Sequence, residues 1–246
     1  MVELMISDIV KTRVEELEPE KIIRYADFSE LEKDKQAVAK ALSNLFKKGI
    51  LRRVSKGMYY KPSYSKFGEL PLEDTTIINK YLELTKKKFS YISGITIYRG
   101  WGLTTQLSKE YLIMNDTRTG AISINNMIIR FMKSPVSEKV NDNDIKLLQL
   151  LDAFSDIKII PDCTTTYAAK RLTSLIEILP NESKQRLVNL SLYYQPMVRA
   201  VLGCILEKLN EINLSINLKN TLNSLTSFSL GISEEFLPNK AKWKIL

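Results

Sequence analysis

KDKQAVAKALSNLFKKGILRRVSKGMYYKPSYSK, residues 33–66, decides how this chain reads. It holds ten cations against the single acid Asp34, a net of +9, so the remaining residues carry −1 of the chain's +8. Solvated surfaces intersperse their signs, and a 34-residue block of one sign points to a polyanionic partner. Within the block, Val38, Ala41, Leu42, Leu45 and Phe46 recur at helical spacing, with Asp34 placed to cap the start and Gly49 to end it. The spacing predicts a helix over Lys35–Lys47. Gln36, Lys40, Ser43, Asn44 and Lys47 fall on its opposite face, each able to donate a hydrogen bond and none acidic. Two short β-favouring runs then flank Ser55-Lys56-Gly57, and Pro62 stops the second; this reads as a hairpin.

Working outward, Met5, Ile6, Ile9, Val10, Val14 and Leu17 predict a first helix, which Pro19 ends. A short second helix is expected near Ala26–Leu31, with Asp27 as its cap. Three helices followed by a basic hairpin make a winged helix-turn-helix, whose third helix enters the major groove of DNA while the hairpin lies along phosphates or a minor groove. The residues expected at that interface are Lys35, Gln36, Lys40, Ser43, Asn44, Lys47, Lys48, Arg52, Arg53 and Lys56.

Composition limits the alternatives. The chain has no histidine, which removes Ser-His-Asp and Cys-His nucleophiles and most zinc sites. It has no phosphate-binding G-x-x-x-x-G-K-[ST] and no G-x-G-x-x-G after a strand, so no cofactor is expected. Cys163 and Cys204 have no metal-ligand spacing; both are expected buried and reduced, in a cytoplasmic protein without a signal peptide or a bilayer-spanning segment. No catalytic or metal residue is expected, and the chain reads as a non-enzyme. The competing chemistry is a carboxylate-dependent metal nuclease using Asp142, Asp144 or Asp152. Asp142 and Asp144 read better as an acidic helix N-terminus, and Asp152 as a buried hydrogen-bonded acid. Lys86-Lys87-Lys88 and Arg118 read as solvated charges rather than a phosphate track.

The expected fold class is α+β, with a winged helix-turn-helix over residues 1–66, a linker over 67–73, and a larger mixed α/β domain over 74–246 with a small sheet and several helices. Tyr111–Met114, Ala121–Ile124 and Met127–Phe131 read as strands, the last two joined at Asn125-Asn126. Ile145–Phe154, Thr165–Leu179, Glu182–Leu192 and Pro196–Asn210 read as helices punctuated by Pro161, Pro180 and Pro196.

Residues 41–53, ALSNLFKKGILRR, and Gly57-Met58-Tyr59-Tyr60 resemble the DNA-binding half of AbiEi-type antitoxins, the antitoxin and autorepressor components of type IV toxin–antitoxin (abortive infection) systems. The resemblance continues through residues 65–71, 91–94, 102–106, 129–131, 147–153 and 160–162, and into Leu237-Pro238-Asn239-Lys240 with Trp243. It implies an N-terminal domain that binds inverted repeats in its own promoter as double-stranded DNA. It also implies a C-terminal domain that carries antitoxin activity, and a partner gene encoding a nucleotidyltransferase-like toxin that need not form a stable complex with it. A plain winged-helix transcription factor with a sensory C-terminal domain is the other regulator this pattern allows.

Overall fold

The computed structural model describes residues 5–86 and 88–246. They form an α+β fold of two compact units, one running to Leu84 and including Ser123–Met127, the other holding Thr85–Ile122 and Ile128–Leu246.

The first unit opens with α1 (Ile6–Glu15), β1 (Ile22–Arg24) and two consecutive 3-10 turns, Tyr25–Asp27 and Ser29–Asp34. Then come α2 (Lys35–Lys47), β2 (Arg52–Ser55) and β3 (Met58–Tyr60). The three strands make an antiparallel sheet in the order β1-β3-β2, the winged-helix arrangement. The bounds of α2 are those its apolar spacing predicts. Its N-terminus is not: Asp34 makes no capping hydrogen bond, because the preceding 3-10 turn runs straight into the helix. The expected second helix near Ala26–Leu31 is present only as the two 3-10 turns and not as an α-helix. The Asp27 carboxylate accepts from the Arg24 amide at 2.9 Å, and Phe28 takes φ −107°, ψ 58°, which together close a local turn instead of a helix. At the far end of α2, Gly49 has φ 76°, a conformation that suits a residue without a Cβ, and Ile50 N donates to Leu45 O at 3.0 Å.

A core of Val10, Val14, Ile23, Phe28, Val38, Leu42, Leu45 and Leu51 unites α1, α2 and the sheet. Residues 67–73 are not a bare linker: β4 (Tyr64–Ser65) and β5 (Gly68–Glu69) pair as a second small hairpin. Helix α3 (Asp74–Thr85) follows, with Ile77, Ile78 and Tyr81 buried. The Tyr81 hydroxyl lies 3.3 Å from Ser55 Oγ and Lys80 Nζ lies 3.7 Å from Asp27, so α3 packs with the first unit, beyond the expected boundary at residue 66.

The chain continues with β6 (Ser90–Ser93), α4 (Ile95–Gly100), β7 (Glu110–Asn115), β8 (Gly120–Ile124) and β9 (Met127–Lys133), which apart from Ser123–Met127 belong to the second unit. The sheet order is β6-β7-β9-β8, with β7 and β9 parallel. Asn125, at φ 52°, turns β8 into β9 as its residue type suggests. Five helices follow: α5 (Ile145–Ser155), α6 (Thr165–Glu177), α7 (Asn181–Ser191), α8 (Pro196–Lys208) and α9 (Ile212–Lys219). Helix α8 is the axis of this bundle, with Ala200 to Leu206 buried without interruption. The Trp243 ring lies over Gly203, and its Nε1 donates to Glu207. Cys204 is buried and burial pushes its thiol up to about 12, whereas Cys163, expected buried, is only half-buried.

Asp152, on α5, is the buried acid its apolar surroundings suggest. It accepts hydrogen bonds from Ser93 Oγ at 2.7 Å and Tyr91 OH at 3.1 Å, both on β6, and from Tyr194 OH at 2.8 Å, after α7. Burial drives its pKa up; the three hydroxyl donors pull it part of the way back, and it settles at about 6.

Two measurements test this packing. A methyl group at Gly203 falls inside the Trp243 ring, so Gly203→Ala should cost about 1–3 kcal/mol in denaturant unfolding; a loss too small to measure would mean that the ring is not seated there. Asp152 has a folded-state pKa above its unfolded value, so the native state binds the extra proton and the group's contribution falls as pH rises from about 4 to about 6. Wild type should therefore gain on the non-titrating Asp152→Asn variant as pH drops from about 7 to about 4, by up to about 3 kcal/mol. A pH-independent difference would refute a buried, shifted Asp152.

Candidate nucleic-acid interface

The apolar stripe of α2 settles which residues remain outside. Val38, Ala41, Leu42 and Leu45 are buried, so Gln36, Lys40, Asn44 and Lys47 are exposed on the other side, with Ser43 half-buried at the margin. Lys35 and Lys48 are exposed at the two ends. No acid lies on this helix. Among the described residues, none of Lys40, Lys47, Lys48, Lys56 and Lys66 enters an ion pair, so these ammonium groups stay available to an outside anion. The helix axis is held from behind by α1 and by Phe46, whose ring sits 6.1 Å from that of Tyr59 on β3.

The turn joining β2 to β3 carries Lys56 exposed at its tip, and Arg53 is exposed beside it with Nε donating to Ser55 O at 3.2 Å. Arg52 differs from what its sequence position suggests. Its Nε and Nη2 grip Glu69 at 2.9 and 2.6 Å, while Nη1 donates to Gly49 O at 2.8 Å. The guanidinium, although partly exposed, is engaged by the chain's own acceptors and joins the end of α2 to β5. Lys61 is likewise structural: its Nζ donates to Glu15 O at 2.7 Å and Leu17 O at 2.9 Å, capping the negative end of α1. The sequence lacks any signal for Glu69 as a partner, since 17 residues separate it from Arg52.

The three carboxylates of the nuclease alternative are not assembled. Asp142 is mostly exposed and pairs with Lys86 at 3.5 Å. Asp144 lies in the turn before α5, bonds the Asn141 amide at 3.1 Å, and meets Arg186 at 2.9 Å; despite partial burial, Arg186 and that amide hold its carboxyl below the usual range. Asp152 is enclosed by its hydroxyls. Among the described residues, no group of three His, Cys, Asp or Glu side chains is placed to hold a metal ion. Arg118 covers the Phe131 ring at 4.0 Å; Lys87 lies outside the described residues. No helix among the described residues is long and apolar enough to cross a membrane.

No curated protein matches the chain. Among solved structures it is similar to the crystal structure of the RV2827C protein from Mycobacterium tuberculosis, with a TM-score of 0.53 over 90% of this chain and 83% of that one. At 10% sequence identity the likeness is one of fold alone. A family model described as a family of unknown function matches residues 9–159, from within α1 to just past α5. That span is more than half of the sequence, and the chain therefore belongs to the family of unknown function DUF6088.

Proposed function

We propose that this protein is a DNA-binding transcriptional autorepressor and the antitoxin of a type IV-like toxin–antitoxin pair, acting in the cytoplasm without catalysis or cofactor. One observation carries the DNA-binding part: a winged-helix unit whose second α-helix turns an acid-free face outward, with Lys40 and Lys47 outside any ion pair among the described residues and the amides Gln36 and Asn44 exposed alongside, beside a basic hairpin. Phosphates supply most of the affinity of such a surface, and amides supply discrimination through base edges. The antitoxin part rests on the resemblance to AbiEi-type proteins, with inverted repeats in its own promoter as the operator and a nucleotidyltransferase-like toxin as the functional partner.

The roles divide along the surface. Gln36 and Asn44 are suited to bidentate pairing with adenine, and Lys40 to guanine acceptors. Arg53, Lys56, Lys47 and Lys48 meet backbone. Arg52 acts at second hand, by holding β5 to the end of α2.

Binding to a duplex carrying the promoter of its own gene should fall steeply with salt. With Arg52 and Lys61 committed internally, four to six phosphate contacts give a slope of log K against log salt of roughly −4 to −5 per protomer. A slope near zero would count against the reading. Gln36→Ala or Asn44→Ala should lose roughly 1–3 kcal/mol on that duplex and little on a scrambled one. Arg53→Ala or Lys56→Ala should weaken both alike, and each should flatten the slope by about one unit as its phosphate regains a counterion. If the hairpin variants alone alter sequence preference, the orientation is reversed; if none of the four matters, the interface lies elsewhere.

A further inference from the structure

The β4–β5 hairpin ends in Lys66-Phe67, and the Phe67 ring is 95% exposed. Tyr64, on the same hairpin, is 64% exposed. Single exposed apolar side chains are ordinary on protein surfaces and by themselves signify nothing. This one is held in place. Phe67 N donates to Ser65 Oγ at 3.1 Å, and Ser65 Oγ donates to Gly68 O at 3.2 Å, which sets the turn. The base is held by Leu70 N to Ser63 O at 2.9 Å, by Ser63 Oγ to Glu20 at 2.5 Å, and by the two-pronged Arg52–Glu69 pair. Because Arg52 also binds Gly49 O, the hairpin is fixed to the end of α2 itself.

We propose that this hairpin is a second wing, and that its tip enters the minor groove, with Lys66 on a phosphate and Phe67 wedged between base steps. The inference rests on the DNA-binding reading above. Charge selects DNA over a protein surface as the occupant: Lys66 is exposed and unpaired, the hairpin's only acid is Glu69, and Arg52 neutralises it. An aromatic side chain already ordered on a braced turn loses little freedom on insertion, and apolar wedges of this kind open flexible steps and bend the duplex. Arg52, read from sequence as a phosphate contact, becomes the brace that sets the spacing between the major-groove helix and the minor-groove tip.

The test uses the full chain and a duplex carrying the promoter of its own gene, with 2-aminopurine placed in turn at the pyrimidine–purine steps of the protected site. Wild type should raise the fluorescence at one such step, as the base unstacks. Phe67→Ala should abolish that rise and weaken binding about 5- to 50-fold while leaving the salt slope unchanged, since the charge is the same. Phe67→Trp should keep both signals, and Lys66→Ala should flatten the slope by about one unit. If wild type binds but Phe67→Ala matches it in affinity and fluorescence, or binds more weakly with no unstacking at any step in wild type, the wedge is wrong and DNA binding stands. A Phe67→Ala variant that changes only self-association also overturns the wedge. A wild type that binds no duplex overturns both readings.

Discussion

Helix α2 can be buried on one side only. Its apolar residues form a single stripe, and once Val38, Leu42 and Leu45 meet the α1 side chains Val10 and Val14, no freedom remains in what the helix shows to solvent. A rotation of one residue about the axis, roughly 100°, would bring Lys40 or Asn44 toward the core, at the cost of burying an unpaired polar group. Hydrophobic burial thus sets the chemistry of the outer face without touching it. The sheet follows from the same constraint, because Leu51 enters that core directly after the Gly49 turn and leads into β2.

The second unit is organised around polar atoms as well as apolar ones. A carboxylate as enclosed as Asp152 is tolerable only where both oxygens have donors within reach, and its three hydroxyl partners come from two separated parts of the chain. A satisfied polar centre of this kind specifies register: sliding α5 along β6 would leave at least two hydroxyls and a charge unpaired. Asp156, one turn further on, repeats the device with Tyr98 OH at 2.7 Å, and burial raises its pKa too. Gln149 donates to Ile92 O at 2.7 Å, so α5 is tied to the β6 backbone as well as to its side chains.

Much of this is legible in the sequence, wherever a structural signal is local. The stripe and glycine stop of α2, the β2–β3 turn, the Asn125 turn and the proline-bounded helices α6 to α8 all declare themselves within a dozen residues. The exposed placement of Gln36, Lys40, Asn44 and Lys56 follows from the stripe and the turn. What the sequence hides is settled at a distance. Strand β1 is three residues long and exists because Ile22 and Ile23 pair with Tyr60 and Tyr59. The parallel pairing of β7 with β9 leaves no local mark. Residues 212–218, INLSINL, alternate apolar and polar as a strand would, yet they form α9, where packing against α8 outweighs the pattern. Arg52 has the residue type and position of a phosphate contact, and only the folded chain brings Glu69 to it.

The closing of the second unit also sets an order of events in time. Trp243 and Ile245 are buried in its core, and Leu246 N donates to Phe228 O at 2.8 Å, so the bundle cannot finish before these residues have left the ribosome. The last residue of the first unit is Met127. The interval is about 119 residues, or roughly 6 to 24 seconds at ordinary elongation rates of about 5–20 residues per second. For that period each newly made copy carries its whole first unit attached to a helical bundle that still lacks its last wall.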